Sequence, residues 1–157
     1  MVQWKTSSRR RILMDVIFDV DGTLMDIEHR RHFVVQRPKD FDAFREATPD
    51  DTPKKDIFAI AISMKKAGHR IIISSGRNKS QRAITLKQLM GNGLAFDALY
   101  MRSDSDYRPD NEVKSQMLDK MRADGFDPTM AFDDRQQVVD MWRERGLTVA
   151  QVAEGDF

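Results

Sequence analysis

The sequence predicts an α/β fold in which a parallel sheet lies between helices, wound in both directions from its centre. Three observations predict it. Short, unbroken apolar runs rich in β-branched residues recur along the chain. Such runs suit strands buried on both faces, as in a parallel sheet. Helical patterns alternate with those runs, and 157 residues with 40% hydrophobic and 32% charged content suit one globular domain.

Residues 1–11 are polar and basic, with Lys5, Arg9, Arg10 and Arg11 and no apolar period, so they predict a flexible basic arm ahead of a domain over residues 12–157. Residues 16–18 are the first strand. Residues 25–51 then break the rhythm. They carry many charges, Phe41 and Phe44, and a pattern for one short helix over 40–47. That is too long for an ordinary loop and too short for a domain. It predicts a small cap inserted over the C-terminal edge of the sheet, where α/β sites lie.

A helix is expected from Thr52, with Thr52 as N-cap and Pro53 in the first position. Ile57, Ile60, Ala61 and Met64 recur at helical spacing and are expected to face the sheet. Gly68 ends the helix as a left-handed cap. Strands follow at 70–74, 98–101, 130–132 and 148–152, separated by helices over 80–90, 112–124 and 136–145. Val138, Val139 and Trp142 form an apolar stripe, and Met117 and Met121 read as packing.

The composition closes several routes. The chain has no cysteine, which excludes disulfides, thiolate catalysis and Cys-ligated zinc. No apolar run approaches the roughly 20 residues that span a bilayer. No signal-peptide core is present at the start, so a cytoplasmic location is expected, a host cytoplasm if the chain is viral. With 26 Lys+Arg against 25 Asp+Glu, the net charge of +1 gives no global pull toward nucleic acid. His29, His32 and His69 show no metal-ligand spacing.

The chemistry-bearing segment is Asp19-Val20-Asp21-Gly22-Thr23-Leu24, directly after the first strand. Two like charges ~4 Å apart repel by about 4 kcal/mol at an effective dielectric of ~20. A bound cation removes that cost, and magnesium prefers oxygen ligands. Gly22 permits a tight turn, and Thr23 can reach a phosphate oxygen. The plain alternative is an Asp-Gly turn that closes a strand. Other junctions carry Ser74-Ser75-Gly76-Arg77, Lys114 in Arg108-Pro109-Asp110-Asn111-Glu112-Val113-Lys114, and Asp133-Asp134-Arg135. Singly, these read as a turn, a solvated lysine and a helix N-terminus. Four such segments in order at strand ends read as a site.

In these motifs the chain resembles the haloacid dehalogenase superfamily of phosphotransferases, with a Rossmann-like three-layer fold. The resemblance implies that Asp19 attacks phosphorus and forms an aspartyl-phosphate. Asp21 would protonate the leaving oxygen and later activate water. Ser75 and Gly76 would hold the phosphoryl group, Lys114 would balance the charge, and Asp19, Asp21, Asp133 and Asp134 would hold magnesium. Asp133 is the favoured direct ligand, with Asp134 close by.

A narrower resemblance covers roughly residues 15–157. Arg30 lies eleven positions after Asp19, and Arg77 closes Ser-Gly-Arg. Arg108-x-Asp110-x-x-x-Lys114, Asp133-Asp134-Arg135-x-Gln137-Val138-Val139-x-Met141-Trp142-Arg143 and the final Gln151-Val152-Ala153-x-Gly155-Asp156-Phe157 complete it. Together they resemble the 3′-phosphatase domain of bacteriophage polynucleotide kinase/phosphatase.

That resemblance implies a 3′-phosphatase acting on polynucleotide ends or nucleoside 3′-monophosphates. Arg30 and Arg77 would bind phosphate, and Asp110 would orient Lys114 or Arg77. A 5′(3′)-nucleotidase is the alternative, and a non-catalytic nucleic-acid-binding subunit a second one. The chain lacks Gly-x-x-x-x-Gly-Lys-[Ser/Thr], so no kinase activity is expected within it, and a separate kinase or ligase partner is possible.

Overall fold

The computed structural model describes residues 11–155; the expected arm lies outside them except for Arg11, which is exposed. In chain order the elements begin with β1 (Asp15–Phe18), β2 (Met25–Asp26), α1 (Glu28–Val35), α2 (Phe41–Glu46) and β3 (Thr52–Pro53). They continue with α3 (Lys55–Lys66), β4 (Arg70–Asn78), α4 (Arg82–Gly91), β5 (Ala98–Arg102) and α5 (Asp110–Ala123). The last three are β6 (Pro128–Asp133), α6 (Gln136–Glu144) and β7 (Thr148–Gln151).

Five strands form one sheet in the order β5-β4-β1-β6-β7, and every pairing in it is parallel. The chain leaves β1 toward β4 and β5, then returns to its other side for β6 and β7. That reversal opens a crevice at the C-terminal end of β1, where ligands bind in such sheets.

Alternation along each strand sends side chains to opposite faces. Val16, Phe18, Ile71 and Ile73 pack with Ile57, Phe58, Ala61 and Leu89 from α3 and α4. Ile17 and Ile72 pack with Val113, Met117, Leu118, Val138 and Trp142 from α5 and α6. The molecule therefore has three layers with a core on each side of the sheet. Among the described residues, no helix is long and apolar enough to cross a membrane.

The α3 helix departs from the expectation. It starts at Lys55 with Lys54 as N-cap, and Thr52-Pro53 instead pair antiparallel with Met25-Asp26. A Lys54 N–H bond to the Leu24 carbonyl, 2.8 Å long, fixes that two-stranded ribbon. Ile60 is exposed and Phe58 takes the buried place. Gly68 does end the helix in the left-handed region, at φ 100°.

Candidate active site

β1, β4 and β6 end side by side, so the residues that follow them meet above the sheet. Val20 holds the first turn, its carbonyl accepting from the Thr23, Leu24 and Met25 amides. Gly22, at φ 84°, makes the turn possible. A Cβ there would lie 2.1 Å from Asp134 Oδ2, so the space itself belongs to the acid.

Asp19, Asp133 and Asp134 are all buried, and one carboxylate oxygen from each lies within 4.8 Å of the others. Lys114, reaching in from α5, donates to Asp19 Oδ1 at 2.7 Å and to Asp133 Oδ2 at 3.1 Å. Thr23 donates its hydroxyl to Asp19 Oδ2 at 3.0 Å. Asp133 Oδ1 accepts from the Asp134 amide, and Oδ2 accepts from the Trp142 indole N–H at 3.2 Å.

One lysine does not neutralise three carboxylates. Burial, then the charges of Asp133 and Asp134, push the Asp19 pKa well above the usual carboxylate range despite Lys114. Burial and Asp133 push Asp134 up as well. Burial works against the Lys114 cation, but Asp133, Asp19 and Asp110 outweigh it and raise its pKa.

Asp21 lies outside this three-acid group. Its Oδ1 accepts from Arg30 Nη2 at 2.9 Å and from Arg77 Nε and Nη2 at 2.9 and 2.7 Å. Burial disfavours its charge, yet Arg77 and then Arg30 win and lower its pKa. Of the four carboxylates expected to hold a metal, those of Asp19, Asp133 and Asp134 converge, while arginines occupy the Asp21 side chain.

The arginines rest on Asp51. Arg30 donates from Nε and Nη2 to its two oxygens at 2.7 and 2.8 Å, and Arg77 Nη2 adds a bond of 3.0 Å. Arg77 Nη1 reaches Thr85 Oγ1 and Gln88 Oε1, so all five of its N–H donors are engaged. Arg30 also lies over the Phe44 ring, 4.2 Å from its centroid. Both guanidiniums thus support Asp21.

Asp110 receives Arg102 on Oδ1 and Arg135 Nη1 on Oδ2, and orients neither Lys114 nor Arg77 through a hydrogen bond. Its pKa is lowered by Lys114, Arg135 and Arg102, which together outweigh burial. Ser75 is buried at the end of the apolar part of β4, its Oγ accepting from the Arg77 amide at 3.1 Å. Gly76 lies beside Asp110, where a Cβ would come within 2.8 Å of Oδ1.

Residues 14–157 match the family model of the polynucleotide kinase PNKP phosphatase domain. The chain belongs to this family. A chain of the Pnkp1/Rnl/Hen1 complex is 32% identical, with a TM-score of 0.76 over 91% of this chain and 47% of its own. A chain of the Pnkp1/Rnl/Hen1 RNA repair complex is 29% identical, with a TM-score of 0.76 over 98% and 48%. This chain therefore spans about half the length of those two. A substrate-bound phosphoserine phosphatase, 16% identical with a TM-score of 0.60 over 92% and 89%, shares the fold. The molecule is a phosphatase domain of the haloacid dehalogenase type, with the Rossmann-like sheet of that superfamily.

The three acids of this PNKP-type domain suit a hard divalent cation. Their donors are all carboxylate oxygens, the set magnesium takes, and their excess negative charge is what such an ion relieves.

Sequence reasoning missed Asp51, His29, Thr85, Gln88 and Arg102. Asp51 has no local signature, since its partners Arg30 and Arg77 stand 21 and 26 residues away. Its only hint was an acid inside an otherwise unexplained insertion. His29, whose spacing gave it no ligand role, has Nε2 2.7 Å from Asp51 Oδ1.

Proposed function

We propose that the chain is a magnesium-dependent 3′-phosphatase acting on polynucleotide ends or nucleoside 3′-monophosphates. The observation that carries this reading is the convergence of Asp19, Lys114, Asp133 and Asp134 beside an arginine-held Asp21, in a PNKP-family domain.

In the first step an Asp19 carboxylate oxygen bonds to phosphorus, and the bond from phosphorus to the leaving oxygen breaks. Asp21 delivers a proton to that oxygen. In the second step Asp21 takes a proton from water, the hydroxyl oxygen bonds to phosphorus, and Asp19 is released with inorganic phosphate. Arg30 and Arg77 favour the carboxylate form of Asp21, the form the second step requires, and make its protonated form a stronger acid toward the leaving oxygen in the first. Lys114 fixes the orientation of Asp19 and offsets negative charge as phosphate arrives.

Asp19, Asp133 and Asp134 would hold magnesium, which supplies positive charge against the phosphoryl oxygens when bound. Ser75 and Gly76 would hold the phosphoryl group. The segment from β2 to β3 serves as a small cap, since Arg30 of α1 reaches Asp21 from it. The likeness to a chain of the RNA repair complex supports a place beside end-repair enzymes, a separate kinase or ligase among them.

Phosphate release from a 3′-phosphorylated oligonucleotide with magnesium tests the reading. Fast release is expected there. No release from it, with fast release from a nucleoside 5′-phosphate, would favour a nucleotidase instead.

A further inference from the structure

We propose that Tyr107 is a stacking platform for a nucleobase near the 3′ end of the bound strand, which rests on the polynucleotide reading above. Tyr107 is 91% exposed, more than any other large apolar side chain among the described residues. Single exposed aromatics are ordinary. What distinguishes this one is how firmly its backbone is held, and beside what.

Tyr107 lies in the loop between β5 and α5, at the same end of the sheet as the acids. Arg102 Nη1 donates to the carbonyls of Asp106 and Arg108, at 3.0 and 2.6 Å, so one guanidinium pins the residues on both sides of Tyr107. The same guanidinium reaches Gly76 O at 3.1 Å and Asp110. Arg108 closes a fork on Asp106 with bonds of 3.0 and 2.7 Å, and Asp104 accepts the Ser80 amide at 3.1 Å. The loop is thus tied to the Ser75-Gly76-Arg77 corner and to the start of α5. A tyrosine on a fixed loop offers a large flat surface and loses little side-chain freedom when it is covered.

Three guanidiniums stand beside the loop, each paired with an acid: Arg108, 45% exposed at its side chain, with Asp106, and Arg102 and Arg135 with Asp110. Cations on a base-stacking platform are the usual equipment for single strands, and every base has a π-face, so such a contact tolerates any sequence. The occupant is therefore a base of the substrate strand.

Steady-state kinetics of the full chain with magnesium test this on three substrates. They are a short 3′-phosphorylated oligonucleotide, the same strand with an abasic sugar at either of its last two positions, and p-nitrophenyl phosphate. Stacking of one base is worth roughly 5- to 140-fold in affinity. Tyr107→Ala is expected to raise KM on the intact strand within that range, leaving kcat and p-nitrophenyl phosphate turnover unchanged. Tyr107→Trp should keep the low KM. One abasic position should raise KM for the parent protein and not further for Tyr107→Ala.

An unchanged KM in Tyr107→Ala, an equal rise on p-nitrophenyl phosphate, or an abasic penalty that persists in full overturns the proposal. A parent protein that cleaves p-nitrophenyl phosphate but no 3′-phosphorylated strand overturns the 3′-phosphatase reading, and this proposal with it.

Discussion

β1 has an aspartate at its start and another immediately after its end, and the fold treats the two oppositely. Asp15 receives Arg70 through Nε and Nη2, at 2.6 and 2.7 Å, and the Asp127 amide at 2.7 Å. Burial disfavours its charge, but Arg70 and that amide overcome it, and the pKa falls. Asp19, four residues on, shares one lysine with Asp133 and sits beside Asp134, and its pKa rises. Both are buried, but burial weighs most on Asp19, the charges of Asp133 and Asp134 add to it, and Lys114 does not offset them. At Asp15 one arginine and one amide are enough to overcome burial. One end of the sheet is balanced pair by pair and serves the fold. The other is left short of positive charge, which is a requirement of binding a cation and a phosphate.

The sharpest way to break that contrast is Asp19→Asn. Turnover of a 3′-phosphorylated oligonucleotide is expected to fall on the order of 10⁴-fold or more. The melting temperature should hold or rise, because one buried like charge is gone. Retained turnover would remove Asp19 from the covalent role.

Lys114→Met comes next. Removing one partner of a buried charge set costs about 3–5 kcal/mol. A loss of roughly 10²–10³ in kcat should accompany it. Denaturant unfolding without metal, paired with kinetics, measures both. Full stability would show that the acids do not depend on this cation.

Magnesium itself should close the gap between the two ends. At 100 times its dissociation constant, a ligand of the native state adds about 2.7 kcal/mol. A melt with and without magnesium reads this, and Asp133→Asn should lose the increment. An equal increment in that variant would move the cation elsewhere.

Asp15→Ala should have the smallest effect. The lost hydrogen bonds are worth about 1–3 kcal/mol, with kcat unchanged. Because Asp15 has a lowered folded pKa, its contribution is full above the unfolded value of about 3.9 and fades as pH falls through the folded one. Acid unfolding of the parent and the variant should therefore converge at low pH. A constant difference down through acid would show that Asp15 stabilises by something other than its charge.

The sheet was legible because each strand is an apolar run buried on both faces, and burial is what the residue types record. The residues at and just beyond the C-terminal ends of β1, β4 and β6 were legible for a related reason. Acids, a hydroxyl and a glycine at a buried strand end have few structural excuses.

What lay between them was harder. α1 was not expected, since Glu-His-Arg-Arg-His-Phe-Val-Val shows little helical period and buries only Arg30. Thr52-Pro53 carried the signature of a helix start, but ribbon pairing with Met25-Asp26 took those residues first. The arginines and Asp21 were found, and Asp51, which accepts from both guanidiniums, was not. Asp51 sits at the end of a 3-10 turn and contacts side chains from α1 and β4, a meeting that only the tertiary fold arranges.

The indole of Trp142 gives the site an optical consequence. Its ring is fully buried in the core, and its N–H donates to Asp133 Oδ2. Fluorescence from that ring responds to the charge on its acceptor, so emission should report what Asp133 is bound to. The only other tryptophan is Trp4, and Trp4→Phe would leave a single fluorophore. Cation occupancy could then be followed by light, without a substrate and without turnover.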